Sequence, residues 1–372
     1  MQAPAPPTPS RFATLMVATA NVLNLAQPGR HFYDGQEPYS QHEFDRKVAW
    51  LGERFKALNA DVLAVQEVWD ELALRAAVAR SGLQYGFVGV PGAENGPGQQ
   101  GALGTPRVGI VTRLKVESVT SLTDFPAAAV VDVPGIGPHT RFERPPLLAI
   151  LRLKHGQEVA VITAHLKSKR PKYLQDAEGH PLEDPDDPAV QAVGSLRSLV
   201  MRAGEALALR LKVVELLHRT RLPLIVMGDL NDGPHSVTTQ LIAATSQVAY
   251  DKGARDNALF SAWDVMGEAA LRSDVAFSHI HQGYPEVLDQ VLVSEEFVAT
   301  SRSSIGDVRR VEVFNDHLFE GRDRSRSDHG FVRALLRLRL PEPAPQAVGE
   351  RIGSGVIERW PSTTDPHETA AR

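Results

Sequence analysis

The chain has 372 residues, of which 42% are hydrophobic and 23% charged, with a formal net charge of −5. This is the profile of an ordinary water-soluble globular protein, with no global basic field to draw in a polyanion, so nucleic acid would have to be met by a local patch or through metal ions. The absence of cysteine excludes disulfides, zinc–thiolate sites, iron–sulfur clusters and a cysteine nucleophile.

Residues 1–10 are rich in Ala and Pro, without the basic and apolar regions of a secretory signal, and read as a flexible lead-in. No run reaches membrane-spanning length, so the expectation is a cytoplasmic protein without membrane attachment. Thr14–Leu25 is a β-rich run broken by Asn21 and Asn24. Asn is poor in strands, which puts both near a strand end, and a backbone-capping role suits Asn24. The segment Gln27–Tyr39 is a polar and aromatic loop. Ser40–Glu43 has the form of a capping box, and Phe44, Val48, Leu51, Phe55 and Leu58 follow at helical spacing, predicting an amphipathic helix to about Asn59. Asp61–Trp69 is a second apolar strand ending at Glu67. A strand–helix–strand crossover brings Asn21 and Glu67 to the same edge of a sheet.

Leu72–Ser81 reads as a short helix, Pro91–Pro106 as a Gly-rich mobile loop and Val108–Thr112 as a strand. Ser118–Asp132 is extended, with a turn at Pro134–Pro138. Pro146–Leu153 and Gln157–Leu166 form two strands around a tight turn at Lys154–Gly156. The second ends at His165, followed by Lys167, Lys169 and Arg170, a basic cluster suited to an anionic substrate or simply to solvent. Residues 171–194 read as a loop and Ser195–Thr220 as a long helix with Leu199, Ala203, Ala206, Leu209, Val213, Leu216 and Leu217 on its apolar face.

Leu224–Gly228 is a buried strand that delivers Asp229 and Asn231 to its exposed end, before an Asp232–Gly233–Pro234 turn. Taken alone, it is equally an Asn-Asp-Gly turn without chemistry. Thr238–Ala244 is helical, and Ala262–Val265 lies near another short element. Val275–His281 alternates and carries His279 and His281 at its end. Glu286–Ser294 is a strand with Asp289 inside an apolar run, a position that demands a partner. Gly306–Phe314 and Phe331–Leu340 are strands separated by the basic loop Arg322–Arg326 and by Ser327–Asp328–His329. Beyond 340, Pro, Gly, Ser and Thr dominate. The expected organisation is therefore a lead-in over 1–10, a single domain over 11–340 and a disordered tail over 341–372.

The polar strand ends form a set: Asn21, Glu67, His165, Asp229, Asn231, Asp289, Asp328 and His329. Every candidate ligand is oxygen or imidazole, a donor set that suits Mg²⁺ or Mn²⁺. Carboxylate-held metal beside His and basic residues is apparatus for phosphodiester hydrolysis. Asp289 is the candidate to fix the tautomer and charge of His329.

Six motifs in order, Thr19–Asn24 (TANVLN), Val65–Glu67 (VQE), Thr163–Lys167 (TAHLK), Gly228–Asn231 (GDLN), Leu288–Ser294 (LDQVLVS) and Ser327–His329 (SDH), resemble the endonuclease/exonuclease/phosphatase superfamily. That resemblance implies an α/β fold of four layers, αββα, with two mixed sheets face to face and the active site at one edge. It implies Glu67 as principal metal ligand with Asn21 and Asp328 at or near the metal. By the same resemblance Asp229 orients or deprotonates the attacking water, Asn231 steadies the phosphate or that water, and His329 contacts the scissile phosphate with Asp289 orienting it. His165 stands where the DNase-like branch has a His, but the Glu with which that branch pairs it has no evident counterpart here. Lys167, Lys169 and Arg170 are candidates to hold substrate phosphates. The resulting expectation is a Mg²⁺- or Mn²⁺-dependent phosphodiester hydrolase acting on nucleic acid, DNA above RNA. A phosphomonoesterase or a small-molecule or lipid phosphodiesterase is the alternative. A non-catalytic binding module would need a degraded site, and every motif position holds the expected residue type.

Overall fold

A computed structural model describes residues 11–33, 35–92, 105–176, 179–266 and 276–340. The lead-in over 1–10, most of the Gly-rich loop at 91–106 and the tail over 341–372 lie outside the described residues.

The chain begins with β1 (Phe12–Leu25), α1 (Gln41–Leu58), β2 (Val62–Val68) and α2 (Glu71–Arg80). Next come β3 (Phe87–Gly89), β4 (Arg107–Thr112), β5 (Lys115–Ser121) and a small ribbon of β6 (Val131–Val133) with β7 (Gly137–His139). The middle of the chain supplies β8 (Leu147–Arg152), β9 (Glu158–His165), α3 (Pro188–Leu217), β10 (Leu224–Asp229), α4 (Val237–Ala243) and α5 (Thr245–Val248). The last part is β11 (Leu259–Ser261), α6 (Ala262–Val265), β12 (His279–His281), β13 (Tyr284–Glu286), β14 (Asp289–Ser294), β15 (Gly306–Phe314) and β16 (Phe331–Arg339).

Two six-stranded sheets carry the fold, one in the order β15-β16-β1-β2-β4-β3 and the other β11-β14-β10-β9-β8-β5. Both are mixed: β1 runs parallel to β2 and β10 parallel to β9, while their other neighbours are antiparallel. Side-chain alternation explains why the sheets face each other. In β1, Leu15 and Val17 point one way and join Ile225, Met227, Val291 and Val332 in an inter-sheet core. Ala18, Ala20 and Val22 point the other way and are covered by Val48, Leu51 and Phe55 of α1. On the second sheet, Ile162, Leu224 and Val226 face away from that core and pack under Ala206, Leu209 and Val213 of α3. Three apolar interfaces thus separate four layers, αββα. Each fully buried aliphatic side chain contributes roughly 1.5–3 kcal/mol to holding them together.

The β1–α1–β2 crossover forms as its sequence pattern requires. Ser40 caps α1 by accepting from the Glu43 N–H, and Glu43 returns the bond to the Ser40 backbone. Two boundaries and one side-chain role differ from the sequence reading. Helix α3 begins at Pro188, because Asp187 accepts from the Ala189 N–H and Pro188 occupies the first turn, where no N–H is needed. Its early turns are solvated, with Val193 40% exposed, so hydrophobic spacing could not locate them; Leu199, expected on the apolar face, is instead 46% exposed. The run Glu286–Ser294 is not one strand: Glu286 closes the β12–β13 hairpin and β14 starts at Asp289. The break is fixed by Ser278, whose Oγ accepts from the N–H groups of both Leu288 and Asp289. Asn24 is no backbone cap through its side chain; its Oδ1 accepts instead from the Trp69 indole N–H.

Candidate active site

Register places the polar residues. In the second sheet Asp229 is paired with His165 on one side and with Asp289 on the other, so three adjacent strands present His165, Asp229 and Asp289 at one level. Gly228 allows this: a Cβ there would lie 1.9 Å from the Ala164 carbonyl oxygen, so any side chain would force β10 away from β9. In the first sheet Asn21 pairs with Gln66, and the β1–β2 register is irregular just beyond it. Glu67 sits in that irregularity with φ of 64°, a left-handed conformation uncommon for a residue other than Gly. Such backbone costs about 1–2 kcal/mol and persists where neighbours hold it. The neighbours here are the Asn24 backbone N–H, donating to Glu67 Oε2 at 3.1 Å, and Asn21 Nδ2, donating to Oε1 at 3.2 Å. Asn231 is also left-handed, at φ 54°, which Asn tolerates well.

The two sheets meet through these side chains. Asn21 Nδ2 reaches Asp229 Oδ2 at 3.1 Å as well as Glu67, while its Oδ1 accepts from the Leu23 N–H. Asn21 is thereby a bridge between a carboxylate of each sheet. His329 Nδ1 is 2.7 Å from Asp289 Oδ2, and its Nε2 is 3.8 Å from Asp229 Oδ2. Ser327 ties the SDH segment down: its Oγ donates to the Asn21 carbonyl at 2.6 Å and accepts from the His329 N–H. Asn231 Nδ2 donates to the Leu166 carbonyl, and its N–H to Asp229 Oδ1 at 2.8 Å. His165 Nε2 is 3.4 Å from Asp229 Oδ2, but its Nδ1 is buried with no hydrogen-bond partner.

Electrostatics separates the roles of these groups. Burial alone would push the His329 imidazole down, but the Asp289 and Asp229 carboxylates outweigh it and hold the ring charged well above the usual range. His165 is pushed the other way, chiefly by burial and then by Arg144 and His329, and is neutral. Burial raises Asp229, opposed by His329, which makes it a better proton acceptor than a free aspartate. Glu67 is raised by burial and then by the Asp328 carboxylate.

Glu67, His165, Asp229 and His329 floor an open cavity of about 1100 Å³, with Asn21 and Asp289 buried outside its lining. Asn231, Asp328, His329, Lys169 and Arg170 all line it; Lys169 also pairs with Glu286 at 2.9 Å. Lys167 is buried and outside the cavity wall, its backbone N–H held by Glu205 Oε2. Three contributors lay outside the sequence reading. Arg144 lines the cavity, anchored by one guanidinium nitrogen on the Leu166 carbonyl, with Nε buried and unbonded. Its sequence signal is a basic residue fixed before Pro145–Pro146 at a strand start. Tyr33 and Tyr39 form part of the wall, and nothing in their spacing marks them.

Two groupings present cation-binding chemistry. Asp229, Asp289 and His329 each offer one donor atom, all within 4.8 Å of one another. Glu67 and Asp328 both line the cavity and repel each other, and among the described residues neither is in a Lys, Arg or His ion pair. Two mutually repelling carboxylates, offset only in part by His329 and Arg144, are a donor arrangement that a hard divalent cation relieves.

The sequence matches the "Endonuclease/Exonuclease/phosphatase family" over residues 18–329. A search of curated proteins gave no match. Among solved structures, an endonuclease/exonuclease/phosphatase family protein from Bacteroides thetaiotaomicron is 14% identical with a TM-score of 0.50, covering 89% of this chain and 100% of that one. The catalytic domain of human nocturnin, with bound sulfate, is 16% identical with a TM-score of 0.50, covering 87% and 96% respectively. An endonuclease/exonuclease/phosphatase from Bacteroides vulgatus is 13% identical with a TM-score of 0.50, covering 88% and 99%. At these identities the likeness is one of fold.

Proposed function

Since the chain belongs to the endonuclease/exonuclease/phosphatase family, and is thus a hydrolase of phosphate esters, we propose that it cleaves phosphodiesters, with DNA as the substrate. The observation that carries this reading is the convergence of Asp229 and the Asp289–His329 pair on the floor of a wide cavity. Asp229, held in line by Asn21 and by the Asn231 N–H, accepts the proton of an attacking water. His329, kept charged by Asp289, donates through Nε2 to a non-bridging phosphoryl oxygen as charge builds there. Glu67 and Asp328 would hold Mg²⁺ or Mn²⁺, and Asn21 braces Glu67. A divalent cation held there supplies Lewis-acid stabilisation of the phosphoryl oxygens. The charged His329, with both nitrogens turned to carboxylates, is a poor metal ligand, which favours Glu67 and Asp328 over the Asp229–Asp289–His329 group.

Cations on both flanks favour a diester over a monoester. Arg144, Lys169 and Arg170 line the cavity from the second-sheet side, and Arg322 and Arg324 from the loop before β16. A polymer with phosphates on either side of the cut uses both flanks; a terminal phosphate uses one.

The test is a panel of bis-p-nitrophenyl phosphate, p-nitrophenyl phosphate, supercoiled and linear DNA, RNA, phosphoinositide and sphingomyelin, each with Mg²⁺, Mn²⁺ or EDTA. Metal-dependent turnover of the diesters and DNA is expected. Asp229→Ala and His329→Ala should each lower it by about 10²–10⁴-fold. Cleavage of only monoester, lipid or inositol substrates would overturn the nuclease reading, and near-normal rates in both variants would overturn the assignment of the site.

A further inference from the structure

We propose that His279, on the β12–β13 hairpin, is the proton donor to the leaving-group oxygen, with Glu286 as its positioning residue; this rests on the phosphodiesterase reading above. The reaction needs such a group. When water attacks phosphorus, the bond to the leaving oxygen breaks and its electron pair stays on that oxygen, which for a nucleotide is a poorly stabilised alkoxide. The two other histidines of the site are committed elsewhere. His329 has Nδ1 on Asp289 and Nε2 toward Asp229 and the phosphoryl oxygen. The side chain of His165 is 2% exposed, with Nε2 toward Asp229 and Nδ1 sealed in without a partner.

His279 is placed differently. It lines the cavity, its side chain is 19% exposed, and its ring centroid lies 4.9 Å from that of His329 at an interplanar angle of 42°. Its backbone forms a β-bridge with His329, and the Gly330 N–H donates to the Ser278 carbonyl at 2.6 Å. Ser278 Oγ in turn takes the N–H of Asp289. The hairpin is therefore pinned to both halves of the Asp289–His329 pair, and His279 cannot drift from them. On its far side, Nδ1 is buried without a hydrogen bond, 4.0 Å from Oε2 of Glu286, the residue directly opposite in the hairpin register. A carboxylate on the Nδ1 side leaves Nε2 as the nitrogen that meets the cavity. The ring of His281 stacks beyond it, 6.4 Å away.

The step balances. The water proton passes to Asp229, the phosphorus–oxygen bond to the leaving group breaks, and the His279 imidazolium, a stronger acid because burial and His329 lower its pKa against the pull of Asp328, Asp229 and Glu286, gives its Nε2 proton to the departing oxygen and becomes neutral. Solvent at the open cavity then returns a proton to His279 and accepts the one on Asp229.

The test uses methyl aryl phosphodiesters with phenol or p-nitrophenol as leaving group, with wild type, His279→Ala, His279→Gln and Glu286→Gln in Mg²⁺ and Mn²⁺. A proton donor matters for phenolate and little for p-nitrophenolate. His279→Ala and His279→Gln are expected to lose about 10²-fold or more on the phenyl ester and only a few-fold on the p-nitrophenyl ester. Glu286→Gln should show the same skew at smaller size. Equal losses on both esters, or none, would overturn the proposal and leave the phosphodiesterase reading standing, because wild type still turns both over. A wild type that hydrolyses neither ester overturns that reading and this proposal with it.

Discussion

Neighbouring carboxylates decide the chemistry of His329. Burial favours the neutral ring, yet Asp289 at 2.7 Å and Asp229 at 3.8 Å reverse that preference. The ring stays charged through neutral pH, so its ionisation sets no limit on the rate there. Asp289→Asn keeps the shape and removes the charge, and burial then has less to oppose it. The His329 pKa falls, the charged form is lost as pH rises through the lower value, and a descending limb enters the pH–rate profile at lower pH than in wild type. We expect kcat to drop about 10²–10⁴-fold at pH 8 and by less at pH 6. NMR titration of the His329 ring gives the pKa directly; an unchanged value in Asp289→Asn would show that Asp289 does not hold the charge.

Among the elements, α1 does more than cover the first sheet. Lys47 is fully buried on its inner face, and its Nζ donates to the carbonyls of Arg324 at 3.0 Å and Arg326 at 3.5 Å. Arg46 reaches Asp323 and Ser325 of the same loop, and the Tyr39 hydroxyl donates to the Arg324 carbonyl. This grip sets the entry to Ser327–His329. Burial pushes Lys47 down to about 7, so between there and 10.5 the unfolded chain binds a proton that the fold has released. Stability from this group therefore rises with pH across that window and is absent below it, with a slope of at most about 1.4 kcal/mol per pH unit. Lys47→Met should flatten the pH dependence of urea unfolding between pH 7 and 9 relative to wild type; parallel curves would mean Lys47 is not released there. The sequence announced α1 through its capping box and 3.6-residue pattern, and it announced Asp229 and Asp289 because charge at an apolar strand end or within an apolar run has few other uses. It was silent on Lys47, which reads as a solvated face until the loop is folded over it. It was silent likewise on Arg144 and the start of α3, whose roles come from partners far along the chain. His279 and His281 stood out as a pair, but only the hairpin register puts one of them against His329.

At the scale of the molecule, the candidate site is a seam. Asn21 and His329 come from the first sheet and its flanking loop, Asp229 and Asp289 from the second, and the bonds Asn21–Asp229 and Asp289–His329 cross between them. Their geometry is set by the inter-sheet core of Leu15, Val17, Ile110, Met227 and Val291. Glu67 and Asp328 belong to the same edge and repel each other in the metal-free protein. A cation between them adds its binding free energy to the folded state alone: at a hundred times Kd this is about 2.7 kcal/mol. Mg²⁺ or Mn²⁺ should therefore raise the free energy of urea unfolding by an amount that grows with the logarithm of concentration and vanishes with EDTA. Two variants separate the possible seats of the ion. Glu67→Gln keeps the side chain and its bond to the Asn24 N–H but removes the charge, and should abolish the metal-dependent gain. Asp229→Asn should keep that gain while losing turnover if, as proposed, Asp229 handles the water and Glu67 and Asp328 hold the ion. The reverse outcome, with the gain lost in Asp229→Asn and kept in Glu67→Gln, would move the ion to the Asp229–Asp289–His329 group and leave Glu67 as a brace for Asn21.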